Sequence, residues 1–515
     1  MSTRLRRALL FLASVAGLLW PGAVAAQPFR GRLMEAVLLT LQHEPNIAVA
    51  NRQIALSEGQ LQSARGEFDT VLDGGVAMAQ TRTPLVEILQ APGRTQLDSR
   101  STSYTLGAST RLRSGVTMTP ALRVDRAHDN LNAASAPAAS QLALVFTLPL
   151  QRGRGVEVNT VAERAAEQTL QSADLAFRHT VAARINRSLS AYWDYLAALR
   201  SLDIRIESER RLLLLLDDAR RLARGDEIPQ ADVLQNEAQL ASDRSLRLAA
   251  EQVLAEVRSA LALAMGQAGA EPAGLALPQD DFPELQPSAL GRLQSAAPGA
   301  APAGRFDLLA LQRRVSAAEI LYDGVRKDPV SRLDLTVSLG YNGLVENRSA
   351  LAALESLRRP ASGFNASVGI IYVLPVQGNT HGGQLRQRAA LLDQARIELD
   401  ALLQSVRAGI AVQRASLASL ASAALQLEQQ QLQLRLQTQV FENERKKYRL
   451  GQSTALDLLT VETQLTSNEL AVIDARRRLA QALIGYRYET GTLLNADGDI
   501  QNLTLQSLTT LPEPP

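Results

Sequence analysis

Two segments of the chain have the pattern of helices that are far longer than any globular core. In the second segment, apolar residues recur every seven positions, at Leu420, Leu427, Leu434, Phe441 and Tyr448. This period predicts a coiled-coil seam. In the first segment, a helix over residues 156–224 would be roughly 100 Å long at about 1.5 Å per residue. Such helices must pack side by side along their length.

The same order of parts occurs twice. "LPLQRGRG" at residue 148 matches "LPVQGNTHGG" at residue 374, and both this pair and the pair Gly225 and Gly451 are separated by 226 positions. Glu237 and Glu462 differ by 225, as do Gly266 and Gly491. We therefore predict a tandem duplication with a one-residue slip at the turn between the long helices.

After residue 26, the repeat divides the chain into four parts. The first repeat, residues 27–266, comprises a helix (about 31–66), a β region (70–150) and a long helical hairpin (156–265). The second, residues 305–494, comprises a helix (305–327), a β region (332–375) and a long helical hairpin (380–490). Residues 267–304 form a linker rich in Pro, Gly and Ala, and residues 495–515 form a tail.

The β regions alternate with period two. Apolar side chains occupy every second position in five segments, centred on residues 108, 120, 146, 337 and 369. Strands of about ten residues with one apolar face are typical of an outer-membrane β-barrel; a soluble β-sandwich is the alternative. The pattern leaves open whether each repeat supplies two strands or residues 102–126 add a hairpin.

An incomplete barrel requires partners. The sequence offers four to six strand candidates, whereas the smallest outer-membrane barrels have about eight strands. Because lipid cannot satisfy the backbone groups of an open sheet edge, several chains would have to close one barrel together.

Residues 1–26 have the three parts of a secretory signal peptide. Arg4, Arg6 and Arg7 precede an apolar run (8–19) and small residues at 23–26. The apolar run is shorter than the roughly 20 residues that a membrane anchor needs. Without this segment, 51 basic residues face 52 acidic ones, and this near-neutral balance gives no electrostatic case for nucleic acid.

The residues that would carry catalysis or metal binding are missing or scattered. The chain has no cysteine, which excludes disulfides, thiolate metal sites and a cysteine nucleophile. No two of its four histidines stand at metal-ligand spacing: His43, His128, His179 and His381. We predict no enzyme, no cofactor and no metal site.

The turn between the long helices has helix-ending and helix-starting chemistry. Gly451 suits a left-handed helix C-terminus, and Ser453 or Thr454 can cap the next helix. Gly225 is expected to end the first long helix in the same way. Asp226, Glu227 and Pro229 then suit the start of the following helix.

These motifs together resemble the outer-membrane efflux family, the TolC-like channels. The resemblance is carried, in chain order, by "FDTVLDGG", "LPLQRGRGVEVN", "KKYRLGQSTALDLLTVETQL" and "RRRLAQALIGYRYETGTL". It implies a homotrimer of mixed α and β fold. Strands from three chains would form a β-barrel in the outer membrane, and the coiled-coil helices would form an α-barrel across the periplasm.

The resemblance also implies a gate at the helical tips. Asp457 stands where the family places a carboxylate at the closing end, with Thr460 where a second acid occurs and Ser453 where a basic residue is common. Asp232 and Asn236 are the first-repeat counterparts. For Asp457, the alternative is a helix N-terminal acid that interacts favourably with the helix dipole.

Four tip residues resemble the family's contact site for a periplasmic adaptor: Arg224, Gly225, Leu450 and Gly451. Plain turn chemistry is the alternative for each. The function implied is the passive exit duct of a tripartite efflux or type I secretion system, which works with an adaptor and an inner-membrane transporter. The alternative is a secreted periplasmic coiled-coil tether without a pore.

Overall fold

The structure is a computed structural model that describes residues 29–84, 96–130, 137–267, 275–284, 305–346, 350–358, 363–450, 452–494 and 505–511. The expected signal peptide, most of the linker and most of the tail lie outside these residues. The chain divides into two compact units. The helical unit comprises Met1–Ala48, Thr180–Ala303 and Gly409–Pro515, and the sheet unit comprises Val49–His179 and Gly304–Ala408.

Long helices dominate the described chain. In sequence order, the described helices, long and short, are α1 (Leu33–His43), α2 (Pro45–Arg65), α3 (Val156–Asn159), α4 (Val161–Arg224), α5 (Gln230–Ala264), α6 (Phe306–Lys327), α7 (Ala350–Ser356), α8 (Asn379–Arg449), α9 (Ala455–Glu489) and α10 (Leu505–Thr509). A 3₁₀ turn, Gly66–Phe68, follows α2. The mixed helix and strand fold that the sequence predicts is confirmed.

Two expected helices are interrupted. The helix expected over residues 31–66 breaks at Glu44, whose backbone is extended (φ −69°, ψ 119°) because the following Pro45 disfavours a helical conformation there. The helix expected from residue 156 breaks at Thr160, which separates the short α3 from α4.

The described strands form one six-stranded antiparallel sheet in which each strand pairs with its neighbours in the sequence. The strands are β1 (Val71–Pro84), β2 (Gln96–Arg111), β3 (Thr117–Asp129), β4 (Pro137–Pro149), β5 (Arg332–Glu346) and β6 (Gly363–Val373). The hairpin that the sequence left open at residues 102–126 is therefore present, as β2 and β3.

The order of the strands gives the sheet two different ends. The connections from α2 to β1, β4 to α3, α6 to β5 and β6 to α8 all leave at one end. The opposite end, here called the loop end, carries the β1–β2, β3–β4 and β5–β6 connections. At this end α7 packs on the sheet, where its Ala353 is buried with Val124, Ala138 and Val345.

The heptad seam of α8 is buried where the structure describes it. Leu420, Phe441 and Tyr448 are almost fully buried, and Leu427 and Leu434 pack beside them as partly buried residues. Around Phe441 and Tyr448, apolar side chains of α4, α5, α8 and α9 form one cluster. The period-seven pattern therefore marks an interhelical core.

Three aromatic residues of α4 anchor the described piece of the linker to the helical unit. Tyr192, Trp193 and Tyr195 are fully buried. The Tyr192 hydroxyl lies 2.8 Å from the Gly31 carbonyl and 3.1 Å from the Asp280 carboxylate, and burial raises its pKa. Trp193 stacks on Phe282 with ring centroids 5.8 Å apart. These residues pack the interior and form no open binding cage.

None of the described helices combines the length and the apolar character that a membrane crossing requires.

Replacing Tyr192 by Phe should lower the free energy of unfolding by about 1–2 kcal/mol, because the buried Gly31 carbonyl and Asp280 carboxylate lose the same hydroxyl partner. Tyr322→Phe is the control, since among the described residues the Tyr322 hydroxyl forms no hydrogen bond; its effect should be below about 0.5 kcal/mol. Thermal unfolding in detergent measures both. Equal effects of the two variants would contradict the anchoring role.

Candidate functional site

One face of the sheet is apolar across its width. Residues that face each other across neighbouring strands project to the same side, and one such row runs through Leu106, Leu122, Leu142, Tyr341 and Phe364. A parallel row runs through Met118, Phe146, Val337 and Val368. We call this side the apolar face. It joins the alternating apolar positions of β2 to β6 into one surface.

The apolar face is exposed to a degree that soluble proteins avoid. Met78 is 78% exposed, Val368 71% and Phe364 68%. Contiguous apolar patches above a few hundred Å² mark a binding or membrane surface. The face therefore requires an apolar partner outside this single chain.

The opposite side of the sheet, here called the polar face, has a different chemistry. Its rows pass through Thr105, Arg123, Gln141 and Asn342. Arg123 and Asp125 form an ion pair on it, with 2.7 Å between Nε and Oδ2. One apolar side and one polar side suit a sheet that separates lipid from water.

Both edges of the described sheet lack a partner strand. The order β1-β2-β3-β4-β5-β6 leaves β1 and β6 paired on one side only, and every residue of both strands is exposed. Since six is even, β1 and β6 run in opposite directions. The β6 edge of one copy can therefore pair antiparallel with the β1 edge of the next.

The first hairpin tip has a defined helix-ending geometry that differs from the prediction. The Glu227 amide donates to the Leu222 carbonyl at 3.0 Å and the Asp226 amide to the Ala223 carbonyl at 3.2 Å, which is the Schellman pattern. The left-handed residue is Asp226, with φ 57°, and Gly225 has no positive φ. The prediction that Gly225 supplies the left-handed conformation was wrong.

The second tip repeats this hydrogen bond 225 positions later. The Gln452 amide donates to the Lys447 carbonyl at 2.9 Å, as Glu227 does to Leu222. By this register Leu450 corresponds to Gly225, and Gly451, which lies outside the described residues, corresponds to Asp226. This hydrogen-bond spacing of 225 matches the shift of Glu237 and Glu462, whereas the two glycines are 226 positions apart.

The predicted gate residue Asp457 lies in the first turn of α9 as part of a helix cap. Its amide donates to Thr454 Oγ1 at 3.2 Å, and the Thr454 hydroxyl donates back to Asp457 Oδ2 at 2.6 Å. Thr454 is thus the N-cap, whereas the Ser453 hydroxyl bonds Glu444. The Asp457 side chain takes part in this cap, and because Asp457 is exposed its carboxylate remains accessible to solvent. Thr460 is exposed as well.

The other predicted tip residues take different positions. Asn236 is buried and donates to the Asp232 carbonyl at 2.8 Å, one turn earlier in α5. Arg224 and Leu450 are exposed at the ends of α4 and α8. The Asn236 side chain is therefore bound to its own helix, whereas the Arg224 and Leu450 side chains are accessible at the tips.

An ion pair that no sequence pattern indicates joins the two hairpins. Asp218 of α4 is buried, pairs with Arg221 of its own helix, and lies 3.4 Å from Arg449 Nη2 at the end of α8. Tyr448 is buried beside it, and burial raises the pKa of its phenol. Sequence spacing could not pair residues 231 positions apart.

A second interhelical contact centres on Glu462, which repeat matching noted without assigning a role. Glu462 Oε1 accepts from Ser208 Oγ at 2.9 Å, Arg211 Nε at 3.2 Å and Thr466 Oγ1 at 2.9 Å. The residue is fully buried, and burial raises its pKa above the ordinary value despite these partners. Glu237, which the predicted duplication aligns with Glu462, forms an exposed ion pair with Arg220.

Comparison with known proteins identifies the fold. No protein-family model and no curated protein sequence matches the chain. The solved Campylobacter jejuni CmeC outer membrane channel matches with TM-score 0.64 at 14% identity, over 93% of this chain and 89% of that chain. The Vibrio cholerae outer membrane protein VceC matches with TM-score 0.60 at 16% identity, over 89% and 96%.

A third solved structure, the open state of the Neisseria gonorrhoeae MtrE outer membrane channel, matches with TM-score 0.58 at 15% identity, over 90% and 89%. All three structures are outer-membrane channels, and this chain shares their fold. The chain has the fold of the TolC-family channels, which confirms the resemblance that its motifs predict.

Gly225→Ala should be neutral or stabilise the protein by up to about 1 kcal/mol, because an added Cβ would lie no closer than 3.5 Å to Leu222 O. The control is Gly266→Ala at the end of α5, where φ is +75° and the Cβ would lie 2.4 Å from His43 O. That variant should lose at least about 2 kcal/mol. Thermal unfolding compares them, and a large loss at Gly225 would restore the original prediction.

Glu462→Gln should change how stability depends on pH. A carboxyl group with a raised pKa binds its proton more tightly in the folded state, so its contribution grows as pH falls through the folded pKa towards the unfolded value near 4.5. Over this window the wild type should gain stability relative to the variant by about 1.4 kcal/mol for each unit by which the folded pKa of Glu462 exceeds its unfolded pKa. Unfolding midpoints between pH 7.5 and pH 5 measure this gain.

Glu237→Gln removes the exposed counterpart and should follow the wild-type profile. If the unfolding midpoints of the wild type and of Glu462→Gln changed equally with pH, the protonation of Glu462 would not be coupled to folding, which would contradict the prediction.

Proposed function

We propose that three copies of this chain form an outer-membrane channel. The observation that carries this proposal is the exposed apolar face bounded by two open edges. In the trimer, the edge β6 of each copy pairs with β1 of the next, so that three six-stranded sheets give one closed barrel of eighteen strands. Closure satisfies the edges, lipid covers the apolar face, and the polar face lines an aqueous lumen.

The long helices complete the duct in this proposal. They pack through the heptad seam as an α-barrel in the periplasm, and the loop end of the sheet faces the outer surface of the membrane. The resemblance to outer-membrane channels supports this placement. The Asp218–Arg449 contact holds the two hairpins of one chain together near their tips, where the passage closes.

The channel would serve as the passive exit duct of a tripartite efflux or type I secretion system. The inner-membrane transporter supplies the energy, and a periplasmic adaptor docks on the tips around Arg224, Gly225, Leu450 and Gly451. The alternative of a soluble periplasmic tether is disfavoured by the apolar face, which a water-soluble tether would leave exposed.

Reconstitution tests the proposed function. Protein extracted from membranes with detergent should have the mass of a trimer, resist dissociation by heating in SDS, and open conducting pores in planar bilayers. A monomer that stays soluble without detergent and conducts no ions would support the tether instead.

Asp457→Asn should relieve block of the purified channel by divalent or trivalent cations, because three carboxylates at a narrow opening attract cations. Asparagine retains an oxygen that can serve the cap. Asp217→Asn, an exposed position on α4, is the control. Planar-bilayer conductance with added cations is the measurement, and unchanged block in Asp457→Asn would remove this residue from the gate.

A further inference from the structure

The apolar face changes its chemistry at the loop end of β2 and β3. Tyr104 pairs with Val124, the next pair on the same side is Thr102 with Arg126, and the next is Arg100 with His128. Arg100, Arg126 and His128 therefore project to the same side as Leu106 and Leu122. We call the two arginines, Arg100 and Arg126, the cationic patch.

The positive charge of the cationic patch is not neutralised by its neighbours. Arg82 and Asp98 compensate each other at 3.1 Å, whereas in the described part of the chain neither Arg100 nor Arg126 has an ion-pair partner. On the polar face at the same level, Arg123 is paired with Asp125 and Asp129 adds a further acid. Among the described residues at this level, the excess positive charge thus lies on the apolar side.

The patch adjoins exposed apolar surface on one side and an apolar area covered by α7 on the other. The Arg126 row continues through Ala138 and Val345, which are buried under α7. Along β2, the strand leads from the patch to Leu106, which is 61% exposed. Arg100 and Arg126 are diagonal neighbours, and the backbones of such positions are about 7–8 Å apart. Both guanidinium groups can therefore reach one phosphate group.

We propose that the cationic patch binds the phosphate groups of an anionic lipid whose acyl chains lie on the apolar face next to it. The proposal rests on the proposed function, which places the loop end at the outer surface of the membrane. A guanidinium pair recognises phosphate oxygens, and the adjoining apolar surface selects a lipid over free phosphate. Helix α7 covers the neighbouring part of β4 and β5 and so closes the site on one side.

The test uses the full-length oligomer in a non-ionic detergent and two probes with identical acyl chains, bisphosphorylated lipid A and dephosphorylated lipid A. Native mass spectrometry measures binding. Each membrane-surface cation contributes about fivefold in affinity, so Arg100→Gln combined with Arg126→Gln should weaken binding of the phosphorylated lipid about 25-fold. Arg123→Gln on the polar face is the matched control and should bind as the wild type does.

The remaining outcomes decide between the possible failures. Equal binding of both lipids, an equal loss in Arg123→Gln, or displacement of the lipid by inorganic phosphate at equal concentration would each overturn the lipid site. If the oligomer conducts in bilayers but shows no phosphate preference, only the lipid site fails. If no conducting oligomer forms, both the proposed function and the lipid site fail. SDS-resistance of the double variant shows that its loss of binding is not loss of folding.

Discussion

The open edges of the sheet are the constraint on which the rest of the structure depends. A chain that ends its sheet at β1 and β6 leaves two rows of backbone donors and acceptors unpaired, and its apolar face makes water a poor solvent for the same sheet. Lipid would cover the face but would make the edges more costly. If copies pair their edges within a membrane, the pairing satisfies the edges while lipid covers the apolar face, and the even number of strands makes a head-to-tail ring possible.

The long helices bury both apolar and charged side chains where they pack against one another. The apolar seam through Phe441 and Tyr448 packs four helices together, but the same contact region buries charged groups. Glu462 is held by Ser208, Arg211 and Thr466, and Asp218 is held between Arg221 and Arg449. Buried charges are costly unless they are paired, so such contacts define one arrangement of the two hairpins more than they add stability. A helix bundle that opens and closes would need contacts of this kind.

The sequence predicts the helices well and the strands less well, for physical reasons. A seven-residue period over many turns is a strong signal, and Pro and Gly mark where helices end, although Pro45 and Thr160 introduce breaks that periodicity alone did not predict. Each strand carries only a few alternating residues, so β1, with its glycines, and the hairpin of β2 and β3 could not be counted before pairing was known. At the tips, glycine suggested the wrong residue because Asp226 adopts the left-handed conformation itself. The Asp218–Arg449 contact depends on packing between distant helices, which no local pattern encodes.

Cross-linking of the two sheet edges tests the central claim most directly, because the chain has no cysteine of its own. Ala77→Cys on β1 can be combined in turn with Asn365→Cys, Ser367→Cys and Gly369→Cys on β6, all on the polar face. If neighbouring copies close one barrel, at least one pair should oxidise to a covalent trimer on denaturing gels, while the single variants should give at most dimers. Only monomers from every pair, in protein that is folded and embedded in membrane, would contradict the account.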